Sequence, residues 1–294
     1  MHSNNPAFAR RPEFNQERGG TMAPPAPGQQ YGYPQQGGYP GHQPGGYPGQ
    51  YGQPAAQGYG AEVGWNADTG RDDAVMTLDD VLTKTGLLFG ILLATAGATW
   101  FLLGGSQLLT VATFGAMFAG LGLGLFIAFR KTISVPLIVA YAAVEGVFVG
   151  GISRLFEYAY DGIVGTAVMA TLATFAGMLA LYRMNIIRVT PKFTKILVMA
   201  TVGYLIFSLV NLAAVWLFKT QSVYQMGLLG IGISLLGVGL AALNLALDFD
   251  FVEKGVANRL PAQYSWLAAH GLIVTLVWLY IEILRLIAIL RGDN

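Results

Sequence analysis

From about residue 76 onward the chain is a succession of seven apolar stretches separated by short polar or basic segments. They run near Thr85–Gly104, Leu108–Phe129, Val135–Ile152, Ile163–Tyr182, Ile196–Leu217, Met226–Leu247 and Trp266–Leu290. Each has about 18–25 residues, enough at about 1.5 Å per residue to cross a hydrocarbon layer of roughly 30 Å. None alternates with the period of two that a membrane strand requires. The pattern predicts an all-α membrane protein, a seven-transmembrane-helix bundle over residues 76–294. Just ahead of the first span, Thr77 followed by Asp79 and Asp80 predicts an N-cap with acids in the first turn, opening a short amphipathic lead-in helix over Met76–Lys84.

Residues 1–75 break the pattern. Positions 28–60 are almost wholly Gly, Pro, Gln and Tyr, and Gly-Gly-Tyr-Pro-Gly occurs at Gly37–Gly41 and again at Gly45–Gly49. So little aliphatic surface does not offset the entropy of ordering, which predicts a disordered cytoplasmic tail. Its tyrosines suit a weak tether, but a neutral extension is the reading such low-complexity composition favours. Met1–Gly20 is polar, so no cleavable signal peptide is expected.

Between the spans, glycine and basic residues carry the next information. Spacings such as Gly146-xxx-Gly150 let helix backbones approach closely, which is how helices associate where lipid is as apolar as the side chains. Pro136 sits at the start of the third span, where a missing N–H does no harm. With the N-terminus inside, Arg71, Lys84, Arg130, Lys131, Arg183, Arg188, Lys192, Lys195, Lys254 and Arg259 fall on the cytoplasmic side. Arg154, Lys219 and Arg291 fall on the other, a clear positive-inside bias.

Composition narrows the function classes. Hydrophobic residues make up 54% of the chain and charged residues 11%, against about 25% charged in a soluble domain. A net charge of +1 gives no field pointing to nucleic acid. Cysteine is absent, which excludes disulfides, thiolate metal sites and cysteine catalysis. No phosphate loop, zinc-protease motif or nucleophile–His–acid order occurs, so neither enzymatic activity nor a cofactor is expected. His270 stands without a second nearby histidine and reads as a polar residue at the start of the last span.

The informative residues are carboxylates inside apolar runs, where a charge costs about 2.5–3.5 kcal/mol even on the lenient insertion scale. Glu145 lies midway along the third span, either as an ion or proton ligand or as a protonated carboxyl bonded to a neighbouring helix. Asp248 and Asp250 close the sixth span about 200° apart on a helix, so they cannot share a face. Asp248 takes the inward role, while Asp250, one turn before Lys254, suits a solvated end. Glu282 sits in the last span with Arg285 three residues on, close enough for an ion pair within the helix. The sharper alternative is a proton shared between Glu282 and Asp248, a pair that would sense pH. The two acids sit at different depths, so this pairing requires the sixth helix to run on towards Asn258 or the last helix to start later.

Glu145-Gly in a glycine-flanked third span, Asp248 at the end of the sixth, and Leu279-Tyr-Ile-Glu282 before a basic, leucine-rich close occur here in that order over seven spans. Together they resemble the Bax inhibitor family, in its bacterial YccA-like branch, over about residues 76–292. The resemblance implies a bundle with the C-terminal helix central, in a bacterial plasma membrane. It implies a pH-sensitive calcium leak gated by acids on helices six and seven. Carried over, these are Asp248 and, where the bacterial pattern has an aspartate, Glu282; both become candidate transient calcium ligands, with Glu145 along the ion path and Asp250 and Arg285 as accessory residues. The second span has no internal arginine to serve as counter-ion for an acid pair. Calcium or protons would be the cargo and the lipid bilayer the constant partner. The competing expectation is an interaction protein without transport, acting on a membrane protease or another membrane protein.

Overall fold

The computed structural model describes residues 74–292. The expectations for the tail over residues 1–73, including Arg71, lie outside the described residues, as does Asn294. Among the described residues seven α-helices occur: α1 (Leu78–Leu103), α2 (Leu108–Phe129), α3 (Val135–Ala159), α4 (Ile163–Arg183), α5 (Pro191–Phe218), α6 (Gly227–Ala257) and α7 (Tyr264–Gly292). All seven are long and apolar enough to cross a membrane.

Local chemistry explains the ends. The Thr77 side chain accepts from Asp80 N at 3.2 Å, so the expected cap is present, but it opens α1 itself. The lead-in helix is therefore not a separate element: nothing over Met76–Lys84 breaks the helix before the apolar run. Thr190 caps α5 in the same way, accepting from Phe193 N at 3.2 Å, with Pro191 in the first turn. The start of α4 is supplied from a distance, because the Glu157 carboxylate accepts from Gly162 N at 2.8 Å and from Val164 N at 3.1 Å. The expected end of the sixth span at Leu247 is too early. Its acids and Lys254 stay helical, and α6 continues to Ala257.

α7 is the central helix. In its most apolar window 56% of residues are buried, against 11% in α2 and in α5. It packs against α1, α3, α4 and α6, while α2 lies outside on α3 and α5 outside on α6. The chain enters at the α6–α7 connection, where Met76 N donates to Leu260 O at 2.7 Å and Ala262 N to Ala74 O at 2.9 Å. That end of the bundle gathers the connections rich in Lys and Arg and is called the basic end below.

The closest packing is between α1 and α3. A Cβ added at Gly150 would lie 2.7 Å from Ala96 Cα and 2.8 Å from Ala96 C, backbone that cannot give way. Gly150→Ala is thus expected to cost about 1–3 kcal/mol through overpacking. Gly97→Ala on α1, where nothing lies within 4 Å, provides the control and should leave stability unchanged or raised. Thermal unfolding in detergent would compare them, and equal midpoints would contradict this account of the α1–α3 contact.

Candidate functional site

The buried carboxylates of the bundle fall in two polar clusters, on two sides of α7. On the first side, Glu145 of α3 is 9% exposed and within reach of the Tyr141 hydroxyl one turn earlier. The Tyr141 ring meets His270 of α7 edge-on, with centroids 4.6 Å apart. His270 is buried with no partner for Nδ1, so it is part of the interior and not a polar group at a helix entrance. This cluster faces α1, α2 and α3.

The second side is the seam where α6 meets α5 and α7. Asp248 is half-buried on α6, with Oδ1 toward the α7 backbone at Gly271 and the Thr275 side chain facing it one turn further on. Its Oδ2 is closed off and has no hydrogen-bond partner. Beside it a cleft of about 480 Å³ opens at the basic end, lined by Thr194, Asp250, Lys254 and Asn258 among others. Asp250 is occupied there by Lys254 at 2.7 Å, the solvated pair that the spacing implied.

One turn deeper on the same face of α6, Asn244 donates to Thr201 Oγ1 of α5 and to its own helix at Leu240 O, both at 2.8 Å. Thr201 is one turn from Tyr204, whose hydroxyl donates to Glu282 Oε2 at 3.0 Å. Glu282 is 3% exposed and has three partners: Tyr204, Trp278 Nε1 at 3.0 Å, and an ion pair with Arg285. Its room is made by Gly237 of α6, where a Cβ would lie 2.7 Å from Glu282 Cδ. The Arg285 guanidinium lies 3.9 Å above the centre of the Tyr224 ring and donates to Tyr204 OH at 3.3 Å. From there Tyr224 OH shares a hydrogen bond with Ser208 Oγ at 3.1 Å, and Asn211 Nδ2 donates to Ser222 Oγ at 3.1 Å. The seam thus carries polar groups from the cleft at the basic end to the α5–α6 connection at the other. Leu197 and Leu240, both buried, are its apolar interruption.

This geometry corrects the expected acid pair. Asp248 is level with Gly271 and Thr275, whereas Glu282 is two to three turns, roughly 10–16 Å, further along α7. The extension of α6 was one condition under which the acids could meet, and it occurs, yet the antiparallel register places Gly237 and not Asp248 beside Glu282. No single cation can be held by both. The residue facing Asp248 across the seam is a threonine, and the partner of Glu282 is Arg285 of its own helix. Glu145 is separated from both by α7.

The α5 contribution has a weaker signature in the sequence than the acids do. Thr194, Thr201, Tyr204, Ser208 and Asn211 recur at helical spacing on one face of an otherwise apolar span. That stripe was the available signal, and it was obscured because none of its members is charged.

One family model, that described as Bax inhibitor 1 like, matches residues 5–292. The chain belongs to the Bax inhibitor 1 like family. No curated protein gives a significant match. As a Bax inhibitor 1 like protein, the chain keeps the seven-span bundle implied by the resemblance and departs from it in the partners of its two acids.

Proposed function

We propose that this Bax inhibitor 1 like protein is a cation leak, with calcium as the cation, and that its path is the α5–α6–α7 seam. The observation that supports this reading is the run of polar groups along the seam, from the Asp248 cleft through Asn244, Thr201 and Glu282 to Asn211. Polar groups inside a bundle are costly and mark ion or proton pathways when they line up across the layer. Calcium is the cargo that hard carboxylate oxygens suit, and Asp248 is a cleft-lining carboxylate whose buried Oδ2 has no hydrogen-bond partner. Asp248 senses pH in this scheme, and it does so alone, because Glu282 is committed to Arg285. Leu197 and Leu240 form the closed gate. The excess of Lys and Arg at the basic end supports a cytoplasmic position for that end and for the N-terminus, and the resemblance to YccA-like proteins supports a bacterial plasma membrane. No enzymatic step and no resident cofactor are assigned.

The test is calcium entry into proteoliposomes at acidic and alkaline pH. Wild type should pass calcium at a rate that differs between the two. Asn244→Leu with Thr201→Val, which removes the middle of the seam without touching any acid, should lower flux at both. Rates no higher than those of empty liposomes at either pH would overturn the leak and favour an interaction protein acting on a membrane protease.

A further inference from the structure

A long apolar groove lies on the opposite side of α7 from the seam. α1 and α4 stand apart there, and the space between them, about 610 Å³, is floored by α3 and α7. Along α1 it runs from Thr85 to Phe101, roughly 24 Å at 1.5 Å per residue, so it follows most of the hydrocarbon layer and opens sideways into it. Its walls are apolar, with Phe89 and Leu93 of α1 opposite Val168 and Leu172 of α4. Only something already in the bilayer can enter it along its length.

The end away from the basic loops carries a cation. Arg154 of α3 follows Ser153, which lines the groove, and its guanidinium lies 4.9 Å from the ring centre of Trp100, also a lining residue, and 4.4 Å from that of Tyr158. Among the described residues no acid pairs with it. Glu157, one turn on, has both carboxylate oxygens committed to the start of α4. Arg154 Nε is buried without a partner. A guanidinium held between aromatic rings at the end of a span presents its donors where lipid phosphates lie.

We infer that the α1–α4 groove is a phospholipid site, with an acyl chain along the groove and the phosphate on Arg154. Charge complementarity selects the phospholipid over a second copy of the chain or a partner helix. Either of those would have to bring an acid to the membrane end to satisfy the same arginine.

The experiment uses the full chain purified in detergent and titrated with phosphatidylglycerol, read by native mass spectrometry and by the thermal unfolding midpoint. Wild type should retain lipid adducts and gain several degrees in midpoint. Arg154→Gln should bind about tenfold more weakly, as expected when one charge-assisted contact is lost. Gly97→Phe, placed in the groove where nothing lies within 4 Å of the new Cβ, should abolish the gain while leaving Arg154 intact. Phosphatidylglycerol brominated on its acyl chains provides a second readout in unaltered protein: it should quench tryptophan fluorescence, and Trp100→Phe should lose part of that quenching, the exposed Trp216 of α5 accounting for the remainder. Binding of wild-type strength in both Arg154→Gln and Gly97→Phe would overturn the site. So would quenching unchanged in Trp100→Phe, or a dimer that Gly97→Phe dissociates, which would place a second copy in the groove.

Discussion

Asp248→Asn should make calcium flux into proteoliposomes equal at acidic and alkaline pH, while Asp250→Asn should leave the difference in place. The two acids are two residues apart and differ in surroundings. Asp250 is bonded to Lys254 at 2.7 Å at the edge of the cleft, and the pair is partly solvated, so its charge is balanced and screened. Asp248 has Thr275 facing it, the backbone of α7 at Gly271 beside it and an Oδ2 with no donor. The other groups on its cleft are Thr194, Asn258 and the Asp250–Lys254 pair. A carboxylate so placed depends for its charge on whatever occupies the cleft, whether proton or metal cation. Asparagine keeps the shape and removes the choice. The measurement is initial calcium entry at the two pH values, with protein content matched. A pH dependence retained in Asp248→Asn would move the sensor elsewhere, and the Glu145–Tyr141–His270 cluster across α7 would be the next place to look.

The largest loss of stability is expected at Glu282 and Arg285. Their side chains are 4% and 23% exposed, and the pair sits inside the bundle, bonded on by Tyr204 and Trp278. Removing either partner leaves an uncompensated buried charge, which costs about 3–5 kcal/mol. Glu282→Ala and Arg285→Ala should each lower the unfolding midpoint by far more than Asp250→Ala. Replacing both by neutral residues of similar volume, Glu282→Gln with Arg285→Met, should recover most of the loss, because such exchanges of a buried pair are often neutral. Additive effects in this cycle, with the double variant as unstable as the two singles combined, would contradict the pairing. The same double variant separates stability from conduction: if it folds and still passes calcium with its pH dependence intact, Asp248 acts without Glu282, as the geometry requires.

The fold was legible in the chain because its cause is local and strong. A hydrocarbon layer admits only long apolar helices, so seven runs between basic loops determine seven spans, and small-residue spacings such as Gly146-xxx-Gly150 identify the α3 face that α1 meets. The cap at Thr77 follows from a hydrogen bond within a few residues. The acids were legible as well, since a carboxylate in an apolar run stands out by its cost. Their partners were not. Which residue faces Asp248 depends on the register of two antiparallel helices, and a shift of two turns exchanges Glu282 for Thr275. That register sets the Glu282 side chain in the space at Gly237 and Asp248 beside Gly271, and α6 continues past its acids to Ala257. The seam and the groove are likewise products of assembly. Thr201, Tyr204, Ser208 and Asn211 join one polar seam only when α5 docks on α6, and Arg154 gains a groove only because α1 and α4 leave a gap that α3 and α7 do not fill. Sequence determined the spans and the residues that burial makes costly; the tertiary structure alone decided which of them meet, because contact across helices is set by packing register and not by order along the chain.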